Sequence, residues 1–295
     1  MIDYFLSLDI KVQAALIAAL TSLLTFIISI SSKNFLERKI HSSKLKSNYE
    51  YEQRKLIKDV LAKNKGHLIH SAHSLNGRFK NYTKNYPLSS EWLDRKTYYY
   101  KSFLYRILRF FAWIHIIEQD LIFLDTSISA KTDLDFAKYL KVFPEFFHDG
   151  DLVNELNVPR NEVENDLIFR DAFKRMFLWM ITEDKTVISF NEFEEKYDAN
   201  YSNFEPLGDY LDNVERDKAG FKADRLFGLQ LMLVGLINNY GYDYQETSKK
   251  QLNELIKGQN TTRIFKNIRL HVFKKYKINK FKNRRVYCAI KKHSS

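Results

Sequence analysis

Val12 to Ser32 reads VQAALIAALTSLLTFIISISS, 21 residues without a charge between Lys11 and Lys33. At a rise of about 1.5 Å per residue, a helix of ~20 residues crosses the ~30 Å hydrocarbon core of a bilayer. Ten of the 21 residues are Val, Leu, Ile or Phe. Each favours insertion by roughly 0.3–0.6 kcal/mol near the centre. A cleaved leader would begin with basic residues and carry a shorter apolar run. Residues 1–10 instead hold Asp3 and Asp9 and no Lys or Arg. Few buried core helices run so long without a charge. The stretch is therefore read as an uncleaved transmembrane helix over 12–32, with 1–11 as a short external N-terminus.

Orientation follows from the flanks. Residues 33–65 contain ten Lys or Arg against four acids, whereas Lys11 is the one basic residue before the span. The positive-inside rule then puts the rest of the chain in the cytoplasm. Richness in Lys, Asn, Ile, Phe and Tyr points to a bacterial source, so the membrane is the inner, or cell, membrane. Within the span, Ala14, Ala18 and Ser22 recur every fourth residue, as do Thr21, Thr25 and Ser29. Small residues at that spacing allow close helix approach, and hydroxyls can bond between helices. Both rows are candidate faces for lipid or for a homo-oligomer.

Nine Gly and four Pro in 295 residues are too few for a sandwich or barrel. They favour an all-α fold. The single Cys288 excludes an intramolecular disulfide and a Cys-rich zinc module. Residues 33–83 are expected to form a basic helical stalk, with Gly66 and Gly77 as weak points and 81–87 as its end. Residues 84–258 form an acidic helical domain and 259–295 a basic terminal segment. Ser89 or Ser90 offers an N-cap for a long helix, Glu91 to about Asp125. Its apolar centre, Phe103 to Ile117, carries Arg106, Arg109 and His115 and is read as the central buried helix. Further helices are expected from Thr132–Asp133 to before Pro144, from Asn161 to Thr182, and after a capping box at Ser189 and Glu192. Residues 204–214 are a short element, and further helices follow over Lys218 to Asn239 with Gly241 as stop and Ser248 to Lys257 ending at Gly258. Arg285 to Ile290 is the one credible strand.

The last 39 residues, 257–295, hold 13 Lys or Arg and no acid, against a net charge of +11 for the whole chain. A helix from about Thr262 to Asn279 would place Phe265, Ile268, Val272, Phe273 and Tyr276 on one face. Lys266, Arg269, Lys274, Lys275, Lys277, Arg284 and Arg285 are the candidate anionic-surface residues. They suit lipid headgroups or RNA phosphates, with Tyr276, Phe281 and Tyr287 able to stack on bases. The third reading docks the apolar face on the acidic body.

Three clusters carry possible chemistry. His67, His70 and His73 could share a metal in pairs, but no third ligand is indicated, so no metal site is assigned. Asp149, Asp151 and Glu155 read as a loop and cap rather than a calcium site. Arg109 and His115 have five residues between them, and on a buried helix such groups commonly satisfy carboxylates, here Glu118 or Asp120. No P-loop, Rossmann, zincin or nucleophile-elbow motif is present, and no cofactor is expected.

The Arg109/His115 spacing resembles the R-x(4–6)-H motif of HEPN ribonucleases over seven residues. That resemblance implies two side chains facing a scissile phosphate at a dimer interface, Arg binding charge and His moving a proton. Anchor, basic stalk and aromatic-rich helical body are together similar to membrane-anchored effectors of bacterial phage-defence and CRISPR accessory systems. The expectation is an effector, more in keeping with a non-enzyme, that oligomerises and perturbs the membrane. The alternatives are a tethered protein binding RNA or another defence-system protein, and a HEPN-like ribonuclease.

Overall fold

A computed structural model describes residues 9–85, 94–153, 167–212, 214, 221–257 and 263–293. These are helical in nearly every segment. The one strand-like feature among them is an isolated antiparallel bridge between Ile181 and Val187. The chain divides into two units, Met1–Lys55 and Leu56–Ser295.

The first unit is the opening part of α1 (Ile10–Asn85). Asp9 caps it, its carbonyl accepting from Val12 and Gln13 and its carboxylate from the Lys11 amide at 3.0 Å. No residue in the most apolar window is buried, and this is a helix long and apolar enough to cross a membrane. Beyond the span, Leu36, Ile40 and Leu45 are exposed as well.

In the second unit α1 becomes a body helix. Ile57, Leu61, Leu68, Ala72, Leu75 and Phe79 are buried, and their spacings of three, four and seven keep one face inward. The helix runs through Gly66 and Gly77 without a break. Both glycines lie on the outer side, with nothing within 4 Å of where a side chain would begin. The stretch read as a stalk is thus divided at Lys55, and its second half is part of the core.

Helix α2 (Tyr98–Leu121) is capped by Thr97, whose hydroxyl accepts from the Tyr100 amide at 3.3 Å. Ser89 and Ser90, the expected caps, lie outside the described residues. Buried side chains surround α2 on almost every side. Next come α3 (Lys131–Leu140), the single turn α4 (Glu145–His148) and α5 (Arg170–Leu178). Of the helix expected from Asn161 to Thr182, 161–166 lie outside the described residues, 167–169 are not helical, and α5 ends before Thr182. There the chain turns back on itself: the Thr182 amide donates to the Thr186 carbonyl at 2.9 Å, and Lys185 takes a positive φ of 56°. Helix α6 (Phe190–Ala199) carries the expected capping box, Ser189 with Glu192. Then come α7 (Glu205–Asp212), α8 (Lys222–Tyr240) with Gly241 at its end, and α9 (Lys249–Lys257). Lys218 and Gly258 lie outside the described residues.

The terminal segment departs most from expectation. Instead of one regular helix, a short turn α10 (Phe265–Asn267) leads into a π-helical stretch, Ile268–Lys274. Its wider turns appear in the bonds from Lys275 N to Leu270 O (3.2 Å) and Ile278 N to Phe273 O (3.0 Å). The expected strand at 285–290 is a helix, α11 (Arg284–Lys292). Alternation would bury Val286, Cys288 and Ile290 together. Burial instead falls on Val286, Ala289 and Ile290, and Cys288 is exposed, which is helical spacing.

Helix α8 lies at the centre of this packing. A Cβ on Gly228 would lie 2.6 Å from Phe146 and 3.0 Å from Ile268, so glycine lets α4 and the terminal segment close on α8. Phe265, Ile268, Val272 and Phe273 are all buried. Replacing Ile268 with Ala is expected to destabilise the body by about 2–5 kcal/mol. Denaturant unfolding of the full chain in detergent checks this, and an unchanged midpoint would refute integration of the terminal segment.

Candidate functional sites: anchor face, central helix and basic terminal segment

On the anchor, Ala18, Thr21, Ser22, Thr25, Phe26 and Ser29 line one open groove, so the two small-residue rows form a single face. Ala14 is exposed but is not among the residues lining it. Three of these hydroxyls are already engaged within the helix. Thr21 donates to Ile17 O at 2.9 Å, Ser22 to Ala19 O at 2.9 Å and Thr25 to Thr21 O at 2.7 Å. Each proton is satisfied without water, which lowers the cost of placing a hydroxyl in hydrocarbon. The oxygen lone pairs remain as acceptors.

On α2, Arg109 and His115 are half-buried. Six residues apart, they are turned roughly 120° from each other about the helix axis. Arg109 sits over the Tyr105 ring at 5.9 Å, and His115 packs against Phe177 with centroids 5.4 Å apart. Burial, aided by Lys174, pushes the His115 pKa down. Neither residue pairs with the expected carboxylates. Asp120 is held by Lys185 at 2.9 Å, and burial pushes the Glu118 carboxyl up. Within one chain the two groups do not face a common point.

A second arginine cluster escaped the sequence reading. Arg78 donates to the Ser102 hydroxyl at 2.6 Å, and Arg106 donates to Ser74 at 2.9 Å and to Ser102. The Tyr98 and Tyr99 rings flank Arg78 at 5.7 and 5.3 Å. Burial, then Arg106, lowers the Arg78 pKa. The signal was present as two Ser-x-x-x-Arg pairs, Ser74/Arg78 and Ser102/Arg106, on helices that face each other. The cluster clamps α1 to α2 through neutral oxygens and π faces.

His67 stacks on Trp113 at 4.6 Å, nearly parallel. His67, His70 and His73 are exposed, and among the described residues no three His, Cys, Asp or Glu converge as metal ligands.

The acidic loop has a partner that the sequence did not reveal. Asp149 caps the next turn, accepting from the Asp151 amide at 2.8 Å. Lys275 from the terminal segment reaches Asp149 at 3.2 Å and Glu145 at 3.6 Å, and His271 lies 3.7 Å from Asp151. Burial alone would raise the Asp149 pKa, but the Asp151 amide and Lys275 outweigh it and hold it low. Glu155 lies outside the described residues. Of the other candidate cations, Arg285 pairs with Glu246 at 2.7 Å. Lys266, Lys274, Lys277 and Arg284 are exposed, and Arg269 is half-buried.

Comparison with protein-family models, with curated proteins and with solved structures finds no match to this chain.

His148 packs against Phe173 and shares a 2.8 Å hydrogen bond between Nδ1 and the Ile168 carbonyl. Burial lowers its pKa, the hydrogen bond opposes this, and Arg170 and Arg225 add to it. A histidine whose folded pKa lies below its unfolded value of ~6.5 binds more protons unfolded. Its contribution is present above that value and falls as pH drops through it. His148→Gln is expected to make stability fall less steeply between pH 7 and 5, as read from denaturation midpoints of both proteins across that range.

Proposed function

We propose that this chain is a single-pass protein of a bacterial inner membrane, N-terminus outside and helical body in the cytoplasm, that self-associates through its anchor. It acts as an effector on the membrane it occupies, as the architectural resemblance to phage-defence effectors implies. The observation that carries this reading is the uncharged helix over 12–32, none of it buried, with its groove of small and hydroxylated residues. Exposed apolar side chains such as Phe26 (63% exposed) and Ile28 (65%) have no protein to cover them within the first unit. Lipid is the solvent that suits them. The ten cations over residues 33–65 supply the orientation.

The ribonuclease reading needs a second chain, because Arg109 and His115 lie on different sides of α2. It predicts toxicity that depends on His115. The effector reading predicts toxicity that depends on residues 12–32 and survives His115→Ala. Growth after induction of each variant separates the two.

A reporter fused after Ser295 is expected to be active in its cytoplasmic form and silent in its periplasmic form. The reverse pattern would overturn the topology. Ala18→Leu with Ser22→Leu should reduce the oligomer while leaving membrane insertion intact, since Leu inserts well but blocks close approach. Chemical cross-linking in membranes measures this, and undiminished cross-linking would remove the groove from the interface.

A further inference from the structure

Beside the terminal segment, α8, α9 and α11 enclose a groove of about 610 Å³. Helix α9 contributes Lys249, α11 contributes Arg284, Cys288 and Lys292, and the turn before α11 adds Phe281. Cys288 and Lys292 are four residues apart, the spacing that puts side chains on one helix face.

The charge of the groove is one-sided. Among the described residues, Lys249, Arg284 and Lys292 have no carboxylate partner. The one acid in the lining, Glu246, is engaged by Arg285 at 2.7 Å, and Asp135 outside it pairs with Lys282 at 3.7 Å.

Phe281 lines the same groove and is 91% exposed. Its ring is bare, but its backbone is fixed. The Asn279 side-chain oxygen accepts from the amides of Phe281 at 3.0 Å and Lys282 at 3.2 Å. Asn239 on α8 donates to the Asn283 side-chain oxygen at 2.6 Å and holds the same turn from the other end. A bound aromatic face would therefore meet a ring whose backbone attachment is already set.

An apolar protein partner would bury three unneutralised cations at a cost. A lipid headgroup would satisfy the cations but offers no flat face to the ring. A nucleic acid strand supplies both a base to stack and phosphates at repeating intervals. We propose that this groove binds single-stranded nucleic acid, with a base on Phe281 and backbone phosphates on Lys249, Arg284 and Lys292. The inference goes beyond the membrane reading and stands or falls separately from it.

The test uses the full chain in zwitterionic nanodiscs with a fluorescent hexauridylate at several salt concentrations. Saturable binding is expected, with log affinity falling against log salt at a slope of about −2 for three phosphates. Cys288, the one cysteine in the chain, is exposed and reports occupancy, so saturating oligonucleotide should slow its reaction with a maleimide. Phe281→Ala should weaken binding about fivefold or more with the slope unchanged. Lys249→Gln, Arg284→Gln and Lys292→Gln together should flatten the slope. All four side chains are exposed, so the variants should fold, which circular dichroism checks. Absence of binding, no protection of Cys288, or wild-type affinity in Phe281→Ala would each overturn the proposal. Protection by anionic vesicles equal to that by the oligonucleotide would overturn it in favour of lipid.

Discussion

Two helices are apolar on nearly every side, α2 and α8, and neither can lie on a surface. A helix of that kind is stable only when other elements cover its whole circumference. The rest of the body is arranged to meet this demand twice. Around α2, Phe79 from α1 packs on Phe103 at 5.2 Å, Phe173 from α5 on Phe111 at 4.7 Å, and Phe193 from α6 on Tyr105 at 5.5 Å. Around α8, the Tyr139 hydroxyl of α3 donates to the Met232 carbonyl at 3.0 Å, while Phe146 and Ile268 close over Gly228. The second half of α1 and the terminal segment are therefore walls of one core.

The terminal segment meets that demand at a polar as well as an apolar level. Asp224, fully buried on α8, accepts from Arg263 at 3.1 Å, and Arg263 lies against the Phe221 ring at 4.3 Å. Burial pushes the Asp224 pKa up and Arg263 pulls it back. Removing one partner of such a pair leaves a buried charge uncompensated, which costs about 3–5 kcal/mol. The pair thus fixes where the segment meets the body. Lys275 on Glu145 and Asp149 pins it at a second point. An acidic body and a basic terminus are complementary surfaces of one fold.

Much of this was legible from local signals. The uncharged run, the burial of Phe103–Ile117, the Ser189/Glu192 box and the Gly241 stop each rest on chemistry contained within a few residues. What escaped depended on distant partners. Nothing near Leu56 marks the end of the stalk. That boundary is set by whether α2 and the body are there to bury Ile57 and Leu61. Arg285 to Ile290 alternates well enough for a strand, and only its packing against α8, α9 and the π-helical stretch decides that Ala289 turns inward and Cys288 outward. Nor does a list of cations show which ones Glu145, Asp149 and Glu246 will take up.

That last point governs how the net charge of +11 can be used. A Lys or Arg with a close carboxylate offers little to an incoming anion, because that anion must compete with a partner already in place. Arg263, Lys275, Lys282 and Arg285 are spent in this way, and each ties the terminal segment to a different element. Among the described residues Lys249, Arg284 and Lys292 have no carboxylate partner, and they share one groove. The basic terminus therefore serves two ends with separate residues: one set completes the core, and the other, held in place by that completion, faces solvent with its charge unspent.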